Sequence, residues 1–202
     1  MVTFWVRDEV FLLKFFEKYG KFIFIFMKNT KFIKIAVSGA ADIKACTADA
    51  PKLSEKVGEE IAKHNCILIT GATTGIPHFA AKGCKKAGGV VVGFSPAASE
   101  REHKKTYRLP TDYHDVIVYT GFHYAGRNLL MTRSADAIIF ICGRMGTLNE
   151  FTIAFEDQKP IGVLEKTGGI SDDLRYLVKK VRKMGRYHPK IIFEKDPKKI
   201  VE

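Results

Sequence analysis

Short apolar runs alternate with segments of helical periodicity along most of this 202-residue chain. Strands buried on both faces of a parallel sheet appear as continuous apolar runs, whereas amphipathic helices repeat apolar residues every three or four positions. The runs that predict strands are residues 32–37, 66–69, 90–94, 116–119, 137–141, 160–164 and 191–193. This alternation predicts an α/β protein with a Rossmann-like, doubly wound, mainly parallel sheet and helices on both faces.

The segments between the strands carry helix signals. Residues 51–64 have Leu53, Val57 and Ile61 at helical spacing, and Pro51 suits a first helical turn. Further helices are predicted over residues 80–87, from Gly126, over 148–156, from Ser171 and, as a short turn, from Asp196. The polar stretch 97–114 predicts a long loop that could close over a ligand, with His103 and His114 exposed on it.

Residues 1–29 form an aromatic-rich extension ahead of the predicted nucleotide-binding domain at residues 30–202. Charged residues interrupt the extension too often for a transmembrane helix, and it lacks the layout of a signal peptide. Three interpretations stay open. The segment is an amphipathic helix packed on the domain or a partner subunit, a membrane-surface helix, or an upstream extension with Met27 as the natural start.

The formal net charge of +11 favours anionic ligands, although a solvated lysine-rich surface explains it as well. Aromatic residues are not interleaved with basic ones in the way that single-strand binding surfaces require. We therefore expect a nucleotide or another phosphorylated small molecule as partner, and no nucleic acid.

The cysteines at positions 46, 66, 84 and 142 form no CxxC pair and have no histidine at zinc-site spacing. This pattern predicts free thiols without a disulfide or a metal site, and hence a reducing, cytoplasmic location. Cys66 and Cys142 are expected to be small buried residues.

Glycine-bearing turns follow several of the predicted strands. In parallel sheets the carboxyl ends of the strands lie at one edge, and the N-terminus of a following helix offers N–H groups to an anion. The predicted phosphate- or nucleotide-binding residues are Ser38, Gly39, Thr70, Gly71, Thr73, Thr74, Gly75, Gly143, Arg144, Gly146 and Thr147. Glu150, on the first turns of the last of these helices, would repel a phosphate, so a carboxylate here predicts a different role, such as holding a ribose or stabilising a positive transition state.

Three elements together carry a family resemblance: Gly126-Arg127-Asn128, Ser134-Ala135-Asp136-Ala137, and Gly143-x-x-Gly146-Thr147-x-x-Glu150. They resemble the "Lonely guy" (LOG) proteins, formerly described as lysine decarboxylases, and the related molybdenum-cofactor carriers. Those proteins have a PGGxGTxxE motif behind an arginine-bearing helix. The resemblance extends from about Ile33 to the last strand.

The resemblance implies that Arg127 and Glu150 are catalytic residues. It implies hydrolysis of the N-glycosidic bond of a nucleoside 5′-monophosphate, with release of base and ribose 5-phosphate, and it implies a homodimer. Such a reaction requires no cofactor, although a bound nucleotide or molybdenum cofactor fits the same family. No lysine stands out as a pyridoxal-phosphate site. A helix-end salt bridge is the alternative interpretation of Arg127 and Glu150.

The chain departs from the family motif at the glycine turn, where Pro-Gly-Gly is replaced by Cys142-Gly143-Arg144. Arg144 either adds a phosphate contact or blocks the pocket. A non-catalytic molybdenum-cofactor carrier or nucleotide sensor is therefore the alternative to the hydrolase. Single-stranded DNA binding is a third reading, and it rests on fold analogy and charge alone.

Overall fold

The computed structural model describes residues 2–6, 9–16, 21–28, 32–182 and 189–202. Internal contacts divide the chain into residues 1–32 and residues 33–202. In the first unit, β1 (Val2–Val6), β2 (Glu9–Phe16) and β3 (Lys21–Lys28) pair antiparallel in sequence order. The predicted amphipathic helix in this extension is thus wrong, because its dense phenylalanine, isoleucine and valine content favours strands.

The second unit contains a seven-stranded sheet in which every described strand pair is parallel. The order across the sheet is β10-β9-β8-β4-β5-β6-β7. The strands are β4 (Lys34–Gly39), β5 (Ile67–Thr70), β6 (Val90–Ser95), β7 (Val116–Tyr119), β8 (Ala137–Ile141), β9 (Ile161–Leu164) and β10 (Ile191–Glu194). This architecture confirms the predicted Rossmann-like, doubly wound fold.

Helices cover both faces of this sheet. They are α1 (Ala50–Lys63), α2 (Ile76–Lys86), α3 (Glu100–Lys105), α4 (His123–Ser134), α5 (Met145–Glu156), α6 (Ser171–Arg182) and α7 (Pro197–Val201). Neighbouring side chains of a strand enter opposite cores: Val37 and Ile139 pack in one cluster with α1 and α2, whereas Ala36 and Ile138 pack in the other with α4, α5 and α6. Among the described residues, no helix is long and apolar enough to cross a membrane.

The strand order reverses at the β4–β8 pair. From β4 the chain adds β5, β6 and β7 on one side, and then returns to place β8 on the other side of β4. Ser38 pairs with Phe140 and Gly39 with Ile141 in the parallel register. The turns after β4 and β8 therefore lead to helices on opposite faces of the sheet. The position between these turns, which we call the crevice, is where ligands bind in such sheets.

The stretch 97–114 contains α3, whose N-cap Ser99 accepts a hydrogen bond from the amide of Glu102. His103 lies on this helix and is fully buried, so its predicted exposure is wrong. Its ring bonds the Ser95 hydroxyl at 2.8 Å and the Pro110 carbonyl oxygen at 3.0 Å, and these partners satisfy both ring nitrogens. His114 is half-buried and contacts the Thr70 hydroxyl at 2.8 Å.

Cys46 and Cys142 form a disulfide with a Cα–Cα distance of 5.5 Å, so the prediction of free thiols throughout is wrong. Sequence spacing could not detect this bridge, because the two cysteines are 96 residues apart and meet only through the β4–β8 pairing. Cys66 and Cys84 are free thiols. With a disulfide present, the cysteine pattern no longer supports a reducing, cytoplasmic location, which stays a prediction.

We predict that Cys46→Ser lowers the free energy of unfolding by about 4 kcal/mol in oxidising buffer, because a bridge across a loop of this length restricts the unfolded chain strongly. Urea unfolding with and without dithiothreitol checks this. Reduction should bring the wild type to the stability of the variant, and Cys66→Ser is the matched control that keeps the bridge. Equal stability of wild type and variant in oxidising buffer would contradict the prediction.

Candidate active site

The structure brings Arg127 of α4 and Glu150 of α5 together at the carboxyl edge of the sheet. Arg127 Nη1 lies 3.8 Å from Glu150 Oε1, and the two side chains are only 6% and 8% exposed. A surface salt bridge at a helix end would be solvated, so burial argues against that interpretation of the pair. Removing one partner would leave a buried charge uncompensated, which makes the two groups depend on each other.

Both carboxylate oxygens of Glu150 are hydrogen-bonded. The Ser38 hydroxyl, at the end of β4, donates to Oε2. One terminal atom of the Asn128 carboxamide lies 2.9 Å from Oε1 and 2.9 Å from the Tyr124 carbonyl oxygen. Because both neighbours are acceptors, we assign the amide nitrogen to this position, from which it donates to both. The Asn149 amide then turns as well, so that its nitrogen donates to the Asn128 oxygen at 3.0 Å. Ser38, Asn128 and Arg127 thus fix the carboxylate from three sides.

Burial and charge act in opposite directions on this site. Desolvation raises the pKa of Glu150, while the Arg127 charge and the Ser38 hydrogen bond partly oppose the rise. Desolvation likewise lowers the pKa of Arg127, and the nearby Glu150 charge opposes that shift. Because the guanidinium has the far higher pKa, it stays protonated at neutral pH, and the pH response of the pair comes from Glu150.

The guanidinium of Arg127 fits against a glycine of the turn after β5. A Cβ at Gly71 would lie 1.8 Å from Arg127 Nη1, so any larger residue would displace the guanidinium from this position. The Tyr124 ring lies 5.9 Å from the guanidinium carbon, and Nη1 contacts the Met131 sulfur at 3.6 Å. Arg127 Nε is buried and has no hydrogen-bond partner among the described residues. An unsatisfied buried N–H of this kind favours an additional ligand at the site.

The rest of the turn after β5 makes mainly internal contacts. The Thr70 hydroxyl bonds His114 and accepts from the Ala72 amide at 3.1 Å, and the Thr74 hydroxyl donates to the Ala41 carbonyl. Gly75 has φ 72° and leaves no room for a Cβ beside the Ala40 carbonyl. Thr73 is buried. These contacts tie the turn to the loop after β4, where Gly39 packs against Ile76.

The turn after β8 presents free N–H groups at the start of α5. Arg144 is the N-cap and makes no side-chain capping bond, so the first amides of the helix have no intrahelical partner. Gly143 has φ 102° and a Cβ there would meet the Thr147 side chain, whereas a Cβ at Gly146 would meet nothing within 4 Å. Open space beside Gly146 and a helix N-terminus together suit an anion.

Arg144, which replaces the second glycine of the LOG motif, pairs with the loop after β4. Its side chain is 64% exposed, and Nη1 lies 3.7 Å from Oδ2 of Asp42 in the loop after β4. The side chain therefore spans the mouth of the crevice from the β8 turn to the β4 loop, without filling the space beside Gly146.

Sequence reasoning missed Asn128 and Tyr124 as site residues. The signal for Asn128 was available, because it stands next to Arg127 in the motif of resemblance. Its contact with Glu150, however, depends on how α4 packs on α5. No group of three or more His, Cys, Asp or Glu side chains that could hold a metal ion occurs among the described residues.

We predict that Gly71→Ala destabilises the protein by about 1–3 kcal/mol, because the added methyl group must displace the Arg127 guanidinium. Thermal or urea unfolding without ligand measures the change. Gly146→Ala is the matched control: it adds a methyl group in open space on a helix, and should leave stability unchanged or raise it by up to about 1 kcal/mol. Equal effects of the two substitutions would contradict this packing argument.

Comparisons with known proteins agree with this fold. An uncharacterized protein of Archaeoglobus fulgidus is 32% identical over 135 residues, which cover 67% of this chain and 82% of that protein. The crystal structure of TM1055 matches with a TM-score of 0.71 at 24% identity, over 84% of this chain and 96% of the other. The molybdenum cofactor binding protein of Rippkaea orientalis matches with a TM-score of 0.65 at 26% identity, over 83% and 91% of the two chains.

The family comparison covers all but the last residue of the second unit. A model described as the SLOG cluster4 family matches residues 32–201, the region over which the resemblance to LOG and molybdenum-cofactor carrier proteins was identified. That resemblance is confirmed at the level of the family. The chain belongs to the SLOG cluster4 family.

Proposed function

We propose that this protein binds a nucleoside 5′-monophosphate in the crevice between the turns after β4 and β8 and hydrolyses its N-glycosidic bond. The main support is the buried Arg127–Glu150 pair, with a separation of 3.8 Å between Nη1 and Oε1, beside an uncapped helix N-terminus. Anion binding alone does not need a carboxylate, which would repel phosphate at close range. A carboxylate held at this place suits a reaction in which positive charge develops.

In this reaction the bond between ribose C1′ and the base nitrogen breaks, and its electron pair moves to the base, which takes up a proton. The ribose becomes oxocarbenium-like before water adds to C1′ and gives up its proton. Glu150 would stabilise this positive charge or orient the water. Ser38 and Asn128 would hold the carboxylate in place, so little reorganisation accompanies the chemical step.

The phosphate would lie at the start of α5. The free amides of the first helical turn and the space beside Gly146 suit the 5′-phosphate, and Arg144 adds a positive charge at the mouth of the crevice. Arg127 would contact phosphate or sugar oxygens through its guanidinium, whose Nε lacks a partner. In this arrangement the turn from Thr70 to Gly75, with Gly71 against the guanidinium, shapes the site around Arg127.

Glu150→Gln should lower the rate of base release by at least about 100-fold, because the amide keeps the shape and loses the charge. The assay incubates the protein with adenosine, guanosine, cytidine, uridine and inosine monophosphates and separates free base by chromatography. Glu156→Gln, an exposed position on the same helix, is the matched control and should keep full activity. On α4, Arg127→Lys is the test variant and Arg133→Lys, at an exposed position, is its matched control. No base release from any nucleotide by the wild type would exclude the hydrolase.

As the pH is lowered, kcat/KM should begin to fall at a pH above the ordinary pKa of glutamate, about 4.3. Burial raises the pKa of Glu150. When the pH is lowered, its carboxylate is therefore protonated, and activity is lost, at a higher pH than for an exposed glutamate. Ser38→Ala should move this acid limb further up, because the Ser38 hydrogen bond lowers the pKa of the carboxyl. An acid limb that does not respond to Ser38→Ala would contradict the assignment of the titration to Glu150.

A carrier or sensor of a nucleotide-like ligand, such as the molybdenum cofactor, is the second candidate. It is favoured by the exposed Arg144, which offers a charge to a more anionic ligand, and by the 26% identity to a molybdenum cofactor binding protein. A clear thermal shift with the cofactor or a nucleotide, together with no base release, would identify this function.

A homodimer would suit either function. Leu129 and Leu130 of α4 and Met145 of α5 are exposed apolar residues on the two helices that carry Arg127 and Glu150. Two such helix faces from two copies would bury these side chains against each other.

A further inference from the structure

The two positions at which this chain departs from the family's glycine motif both have partners on one segment of the β4–α1 loop. Cys142 is bonded to Cys46, and Arg144 pairs with Asp42. The segment from Asp42 to Cys46 contains a short 3-10 turn at Ile43–Ala45, capped by Asp42. A covalent bond and an ion pair therefore both fasten this segment to the turn that begins α5.

The turn after β8 does not depend on the disulfide for its position. The Cys142 amide donates to the Thr167 hydroxyl at 2.8 Å, and the Cys142 carbonyl oxygen accepts from the Ser171 amide at 3.0 Å. Cys142 itself is buried. Reduction would thus leave this turn anchored by the loop after β9.

The other end of the bridge is far less fixed. Residues 41–45 are exposed, and Cys46 is only partly buried. The adjoining backbone is held by an isolated antiparallel β-bridge between Cys46 and Gly168. It is also held by the hydrogen bond that the Thr47 amide donates to the Thr167 carbonyl oxygen. Within the 3-10 turn, the bonds are short-range ones, from the Lys44 amide to Asp42 and from the Cys46 amide to the Ile43 carbonyl. Loss of the disulfide would therefore loosen residues 42–46 first.

Movement of this segment would change the charge at the mouth of the crevice. In the bridged form the Asp42 carboxylate lies 3.7 Å from the Arg144 guanidinium. It competes with an incoming phosphate for that guanidinium and repels the phosphate directly. Once the segment can move away, Arg144 is free to bind the anion.

We propose that the Cys46–Cys142 disulfide is a redox switch that lowers anion affinity at the start of α5 by holding Asp42 against Arg144. This rests on the proposed ligand site. The reductant is a dithiol. Its thiolate attacks the sulfur of Cys46, the less buried of the two residues, and the S–S bond breaks with Cys142 leaving as a thiolate that takes up a proton. The second thiol of the reductant then releases Cys46, so two electrons pass to the protein and the dithiol becomes a disulfide.

Isothermal titration with adenosine 5′-monophosphate and with inorganic phosphate tests this switch on the full chain. One sample is oxidised with glutathione disulfide and the other is reduced with dithiothreitol, and alkylation followed by mass spectrometry verifies each state. We expect the reduced form to bind about threefold more tightly, the size of one exposed ion pair. Asp42→Asn should bind as tightly when oxidised as the reduced wild type does, and should lose the redox response.

Two further variants separate the switch from a general effect of thiols. Cys46→Ser should bind, in both buffers, as tightly as the reduced wild type. Cys66→Ser should respond to reduction like the wild type. Failure of the bridge to form in oxidising buffer would overturn the proposal, and so would equal ligand affinity of the oxidised and reduced wild type.

Amide hydrogen exchange tests the switch without any ligand. Residues 42–46 should exchange at least about threefold faster after reduction, while residues 140–143 change little. If neither form binds nucleotide or phosphate, the proposed ligand site fails, and the effect of the disulfide on anion affinity fails with it. Binding that is observed but unchanged by reduction, or unchanged exchange at residues 42–46, overturns the switch alone.

Discussion

The parallel pairing of β4 with β8 is the constraint on which the site depends. It aligns Ser38 with Phe140 and Gly39 with Ile141, and so places the ends of two strands that are about a hundred residues apart side by side. The strand order reverses at this pair, so α1 and α2 cover one face and α4, α5 and α6 the other. Every group assigned to the site reaches the crevice from an element attached to this pair or to its neighbour β5. The same pairing brings Cys46 to Cys142.

The burial of the Arg127–Glu150 pair supports the proposed catalytic role better than a purely stabilising one. Desolvation of two charges cancels much of their attraction, so a buried ion pair is weak evidence for a stabilising role. Three further residues nevertheless support the pair. Gly71 leaves space for the guanidinium, and Ser38 and Asn128 donate hydrogen bonds to the carboxylate. Such support suits a carboxylate that must be fixed and ionised when charge develops nearby.

Where the LOG proteins have Pro-Gly-Gly, this chain has Cys142-Gly143-Arg144, and from the sequence alone this change is expected to impair an anion site. In the structure Gly143 has a positive φ, the space beside Gly146 is open, and the side chains of Cys142 and Arg144 both have partners on the loop after β4. The altered motif thus connects the turn after β8 to the loop after β4 through a disulfide and an ion pair. This explains how a basic side chain can stand at the turn without filling it.

The sequence by itself determined the fold class and the position of most strands and helices, because periodicity is a local signal. The resemblance to the LOG proteins pointed to Arg127 and Glu150, whose catalytic role stays a prediction. The sequence did not determine what touches what. The disulfide depends on the pairing of β4 with β8, and the burial of His103 and the contact of Asn128 with Glu150 depend on how helices pack. Strands in the first 28 residues were also missed, because short apolar runs are compatible with either helix or strand. Only the tertiary structure showed that Gly71 makes room for an arginine, since this role depends on a side chain that is 56 positions away in the sequence.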